Sequence, residues 1–219
     1  MIDFIEGPMV WVAFVVFFVG LLFQVMQFFN LTRRKDPIFP LKAPEPKKKG
    51  LLESIRRSLP ALSRTVWSTH PSVMVMTTIF HVCLIGTPLF VLGHNILLEE
   101  SIGLGLWSFS ERVTDVLTVV VFFCAAYFLA RRIFLDRVRA ISTFYDYVTL
   151  LITLAPFLTG YIAYHQWFHY ETMIFLHLLS AEVMLIVIPF TKLGHMLFFF
   201  LYRFFIGSEY SFSQGTRAW

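Results

Sequence analysis

The chain has 219 residues, 57% of them hydrophobic and only 15% charged, where a soluble domain carries about a quarter charged residues. That balance excludes an ordinary soluble enzyme and leaves one membrane domain over residues 1–219 with no sizeable soluble module. The formal net charge of +4 is a topology signal and calls for no nucleic acid.

Five apolar stretches are long enough to span a bilayer, giving an all-α membrane protein, a bundle of five transmembrane helices. The first is Val10–Phe29. It is not a convincing secretory signal: no basic region precedes it, its apolar run is too long, and no small-residue cleavage site follows. Next comes the one long connection, Leu31–Ser72, with Pro37, Pro40, Pro44, Pro46 and Pro60 and ten Lys or Arg. Pro37–Pro46 reads as extended chain, and Leu51–Leu62 as a short amphipathic helix on the inner membrane surface. Its basic run reads as lipid headgroup contact or as docking to a cytoplasmic partner. The other spans are Val73–Leu97, Val113–Ala130, Tyr147–Trp167 and Met173–Phe205. The last is 33 residues, about 50 Å if helical, so its final turns should project into the cytoplasm or tilt strongly.

Charge orients the bundle. The first connection, the third-to-fourth connection (Arg131, Arg132, Arg137, Arg139) and the C-terminal end (Lys192, Arg203, Arg217) hold 17 of 18 basic residues. The opposite side holds Arg112 beside Asp3, Glu6, Glu99, Glu100, Glu111 and Glu171. The positive-inside rule puts the N-terminus outside and the C-terminus in the cytoplasm. Cys83 and Cys124 both fall within spans and imply no disulfide framework. No covalent haem-attachment motif, phosphate loop, nucleophile elbow or internal repeat is present.

The histidines carry the chemical signal. His177 and His195 lie 18 residues apart in the last span. On one helix that is five turns, so both rings share a face about 27 Å apart. Intramembrane histidines are costly, so each needs a reason. A second pair, His81 and His94, lies in the second span. Four histidines on two helices can hold two haems, one above the other. The antiparallel run of the two spans levels His94 with His177 and His81 with His195. On an ideal helix His81 and His94 stand about 140° apart, and a kink or wide turn at Gly86–Pro88 would correct part of this. The competing assignment is His70 with His81, about 20° off one face, but His70 precedes Pro71, where a helix start is the better reading. His165 and His169 end the fourth span among Tyr161, Tyr164, Trp167 and Tyr170, an interfacial aromatic belt with a possible quinone or partner contact. Glu182, inside the last span, is either functional or bonded to a neighbouring helix.

Three segments, FHVCLIGTPLFVLGH (Phe80–His94), RRIFLDRVRA (Arg131–Ala140) and HLLSAEVMLIVIPFTKLGH (His177–His195), carry a family likeness. The chain resembles the gamma subunit of membrane-bound respiratory nitrate reductases, a dihaem cytochrome b. The second-span histidines are more widely spaced than in that form, and the inner loop is rich in proline and lysine. The chain therefore looks more like the membrane cytochrome b subunits of transmembrane electron-transfer complexes in sulfate reducers. The resemblance implies two haem b on His81, His94, His177 and His195, paired His94–His177 and His81–His195. It implies a quinone, menaquinone or ubiquinone, beside the outer haem near Gly93 in a bacterial or archaeal cytoplasmic membrane, with Arg112 as the basic residue at the third span's outer end. A quinone site also needs titratable neighbours, and on the outer side Asp115 and His165 join Arg112 as candidates. It also implies a cytoplasmic iron–sulfur subunit similar to heterodisulfide reductase, and a periplasmic multihaem cytochrome c.

A bis-histidine haem has no open coordination position and so moves electrons without binding substrate. The expected function is therefore a quinone-linked electron conduit, enzymatic only as part of an oxidoreductase complex. A haem-free anchor or assembly scaffold is the alternative. A transporter is disfavoured by the lack of repeat halves and paired broken helices.

Overall fold

A computed structural model describes residues 5–32, 70–195, 197–198 and 201 of the chain. Among them every regular element is a helix and no strand occurs. Five helices are long and apolar enough to cross a membrane: Gly7–Asn30, Pro71–Phe90, Glu111–Phe134, Phe144–Tyr164 and Tyr170–Phe190. The expected five spans are present. Most of the basic linker, including Leu51–Leu62, and the tail from Arg203 lie outside the described residues.

The chain forms two compact units, Met1–Lys49 with Ile174–Trp219, and Gly50–Met173. In the first unit, a π-helical turn at Ile5–Met9 leads into α1, Val10–Thr32. Its contact with the chain near Pro189 is close: Gln24 Nε2 donates to the Pro189 carbonyl at 2.9 Å. Gly20 makes that approach possible, since a Cβ there would stand 2.7 Å from Pro189 Cβ and Cγ. Small residues admit such contacts where lipid is as apolar as the side chains and packing supplies the attraction.

The second unit opens with α2, Pro71–Phe90, and an extended Val91 (φ −71°, ψ 134°) separates it from α3, Leu92–Ile102. The expected single span Val73–Leu97 is thus two helices. Pro88 explains the weakness: it offers no N–H to the ladder and its ring crowds the preceding turn. Gly103 ends α3 in the left-handed region (φ 71°) and returns its N–H to the Glu99 carbonyl, a position that suits glycine. Then follow α4, Glu111–Phe134, the single turn α5, Asp136–Arg139, and α6, Phe144–Tyr164. Arg131 and Arg132 close α4, where cations suit the carbonyl end of the helix dipole. Asp146 starts α6 by accepting from the Thr143 N–H at 2.8 Å.

Helices α2 and α4 meet through Phe80, Cys83, Val121, Cys124 and Ala125, all buried, with Leu150, Leu154 and Phe157 of α6 packed against them. Both cysteines are free thiols that act as small packing residues. Several hydroxyls inside the spans are spent locally. Thr78, Thr118 and Thr153 each donate to the carbonyl four residues back, at 2.9 Å.

Helix α7, Tyr170–Val187, crosses the boundary between the units at Ile174. It does not continue as the expected helix to Phe205. Two 3-10 turns follow, Ile188–Phe190 and Lys192–Gly194, with Thr191 extended between them (φ −128°, ψ −178°). Pro189 breaks the ladder, and the Thr191 hydroxyl accepts from Leu193 N at 3.3 Å, restarting the turn as an N-cap does.

Two outcomes follow. Gly20→Ala should destabilise the protein by about 1–3 kcal/mol, because the rigid proline ring cannot move aside. A lowered thermal midpoint in detergent checks this, and an unchanged midpoint would refute the close contact. Asn95→Leu removes the buried donor that bonds Ser108 Oγ at 2.8 Å. Residues 103–110 should then be cut faster by protease, while cleavage elsewhere is unaltered.

Candidate functional site

Three of the four histidines expected to ligate iron share one local feature. His81 Nδ1 lies 2.7 Å from the Thr77 carbonyl, His94 Nδ1 2.8 Å from the Pro88 carbonyl, and His195 Nδ1 2.7 Å from the Lys192 carbonyl. A carbonyl oxygen only accepts, so each Nδ1 carries the proton and donates it. A neutral imidazole protonated on Nδ1 has its lone pair on Nε2, the atom a metal takes. A ring N–H anchored on a carbonyl also fixes ring orientation and raises ligand basicity, as around metal-ligating histidines. The donor chemistry therefore fits bis-histidine haem ligation.

Each anchor comes from the adjoining backbone. His81 reaches one turn back along α2. His94, the third residue of α3, reaches across the break at Val91 to Pro88. His195 follows the second 3-10 turn and reaches back into it. His177 sits within α7, half-buried, and its carbonyl accepts from Ser180 Oγ at 3.0 Å. His81 and His94 belong to the unit Gly50–Met173; His177 and His195 belong to the other. Because α7 ends at Val187 and the chain is extended at Thr191, the five-turn argument for a shared face of His177 and His195 does not hold as a helix rule. The 140° offset of His81 and His94 likewise lapses, since they stand on separate helices.

His70 is the exposed N-cap of α2, followed by Pro71 at the first helical position. That is the helix-start role expected for it. Among the described residues no three His, Cys, Asp or Glu side chains gather in a cluster that could hold a metal ion; a haem needs only two histidines.

Of the quinone-site candidates, the structure brings Asp115 and His165 together. His165 Nε2 lies 3.3 Å from Asp115 Oδ1, joining α4 to the end of α6. This is an ion-pair distance without hydrogen-bond alignment, and the Nε2 atom is buried. Tyr161, Tyr164 and Trp167 surround the ring at centroid distances of 4.4, 5.2 and 5.6 Å. Arg112, three residues before Asp115 on α4, is exposed and lines a groove of about 400 Å³ with Leu92, Phe109, Ser110 and Glu111. Gly93 follows Leu92, and a Cβ there would meet open space. His169 is exposed and bonds the Thr172 hydroxyl at 3.2 Å.

Sequence reasoning missed Asn95 and Thr87. Asn95 is buried, and its Nδ2 donates to Ser108 Oγ while its Oδ1 has no partner among the described residues. Thr87 Oγ1, one turn before Val91, is also buried and unpartnered. Their signal in the sequence was the placement of polar residues in an apolar run beside His94.

No family model and no solved structure matches the chain. A protein of Nitratidesulfovibrio vulgaris (strain Hildenborough), named only "Protein", is 35% identical over 216 residues, covering 98% of this chain and 96% of that one. Identity at that level over nearly the whole of both chains is that of homologues with one fold, and this chain belongs to the same family as that N. vulgaris protein.

Proposed function

We propose that the chain is a dihaem cytochrome b, the membrane subunit of a respiratory redox complex. In this reading it carries electrons across the bilayer between a quinone and periplasmic cytochrome c side and a cytoplasmic iron–sulfur subunit. The observation that carries it is the repeated anchor: His81, His94 and His195 each hold Nδ1 on a backbone carbonyl. Histidines that merely filled a membrane interior would need no common tautomer. Bound haem supplies reversible one-electron chemistry with no open coordination site.

The chain's own residues would do the rest. His81, His94, His177 and His195 hold the iron, and the family likeness pairs His94 with His177 and His81 with His195. Phe80, beside His81 at a ring-centroid distance of 5.5 Å, would help to exclude water from a haem held there, which is one way a protein sets a haem's potential. Quinone exchanges protons as well as electrons. Asp115 and His165, in ion-pair contact, can hold and pass that proton. Arg112 offers the groove a cation. The excess of basic residues in the inner connections supports an N-terminus outside and a C-terminus in the cytoplasm of a bacterial or archaeal membrane. That basic surface is where an iron–sulfur subunit would dock.

The purified chain should show a b-type reduced-minus-oxidised spectrum and two haem b by pyridine haemochrome assay. His177→Ala and His195→Ala should each remove one haem, and different ones, seen as loss of one of two potentials. Full haem content in both variants would sink this reading, and no haem in the wild type would select the haem-free anchor. Loss of a haem in His70→Ala with none lost in His94→Ala would select the His70/His81 assignment. In the intact complex, His165→Phe should slow quinol-driven haem reduction by about a hundredfold or more, the range for losing a general base, with haem content unchanged.

A further inference from the structure

Glu182 is the most deeply placed acid among the described residues of the spans. It is 2% exposed, in the middle of α7, and its neighbours one turn either way are Leu178, Leu179, Leu185 and Ile186. Neither carboxylate oxygen has a hydrogen-bond partner among the described residues. The alternative that it is bonded to a neighbouring helix therefore finds no support. A buried polar group without a partner is uncommon and calls for one, and a bare charge in such a place costs far more than a neutral group.

The surroundings select the ligand. A hard cation takes six or more oxygens, and here the carboxylate supplies two. The nearest hydroxyl on the same helix, Ser180, is already committed to the His177 carbonyl at 3.0 Å. An anion is repelled. A proton needs the carboxylate alone. We propose that Glu182 is a proton-binding site inside the fifth span and that it exchanges its proton with water. Binding joins one proton to one carboxylate oxygen and removes one negative charge; release restores it. The inference does not rest on haem or quinone binding.

Carbodiimides test it on the full chain in native membranes, because they react with carboxyls that carry a proton. Apolar dicyclohexylcarbodiimide should leave an adduct on the peptide containing Glu182, and a water-soluble carbodiimide should not. The adduct should vanish in Glu182→Gln. Independently, infrared spectra of the wild type should hold a carboxylic-acid C=O band that is absent in Glu182→Gln and shifts down in D2O. Absence of any adduct on Glu182 in the wild type would overturn the proposal without depending on a variant's folding. So would a band that fails to shift in D2O, which describes a static buried acid.

Discussion

A backbone N–H or C=O left unpaired in hydrocarbon costs several kcal/mol, so a chain that crosses a membrane must satisfy its polar groups from within. The five long helices meet that demand by their own ladders. Several hydroxyls inside them do the same, Thr78, Thr118 and Thr153 each donating to a carbonyl one turn back. The demand is sharpest where a ladder stops. At Val91 the helix breaks after Pro88, and the His94 ring donates to the Pro88 carbonyl. Near Pro189 the ladder stops again, Gln24 donates to the Pro189 carbonyl, and His195 donates to that of Lys192. At both breaks a side chain thus supplies a hydrogen bond to a nearby backbone carbonyl.

These bonds link structure to chemistry. In His81, His94 and His195 the imidazole Nδ1 donates to a carbonyl of the adjoining backbone, and in a neutral ring that leaves the lone pair on Nε2. The ring's tautomer is set by the fold before any ligand arrives. In the proposed dihaem reading such pre-setting would matter, since a fixed ligand orientation and hydrogen bond tune potential and limit rearrangement on redox change. His81 obtains the same setting inside an unbroken helix, from Thr77 four residues back.

The ends of α4 and α6 follow a different rule. Here tyrosine and tryptophan rings gather round His165 and Asp115, the amphipathic composition found at a membrane–water boundary. Asn95 ties α3 to Ser108, and the Phe109 N–H donates to the Phe90 carbonyl at 2.8 Å. The 103–110 connection is therefore fastened at two points beside His94. Glu182 in α7 is a different case, a buried acid with neither carboxylate oxygen partnered among the described residues.

Much of this was legible in the amino-acid order. Helix number and approximate spans follow from runs of apolar residues, because hydrocarbon admits little else. The chemical types of the histidines and their place in apolar runs were equally plain. His70 before Pro71 read correctly as a helix start. Periodicity misled where proline intervened. An 18-residue spacing implies five turns only on an unbroken helix, and Pro189 with Thr191 interrupts it; Pro88 and Val91 do the same between His81 and His94. The approach of Asp115 to His165 and the burial of Asn95 and Glu182 were decided by tertiary structure alone. Each depends on where separate helices or broken ends meet, and a one-dimensional pattern records which face a residue occupies without recording what stands opposite it.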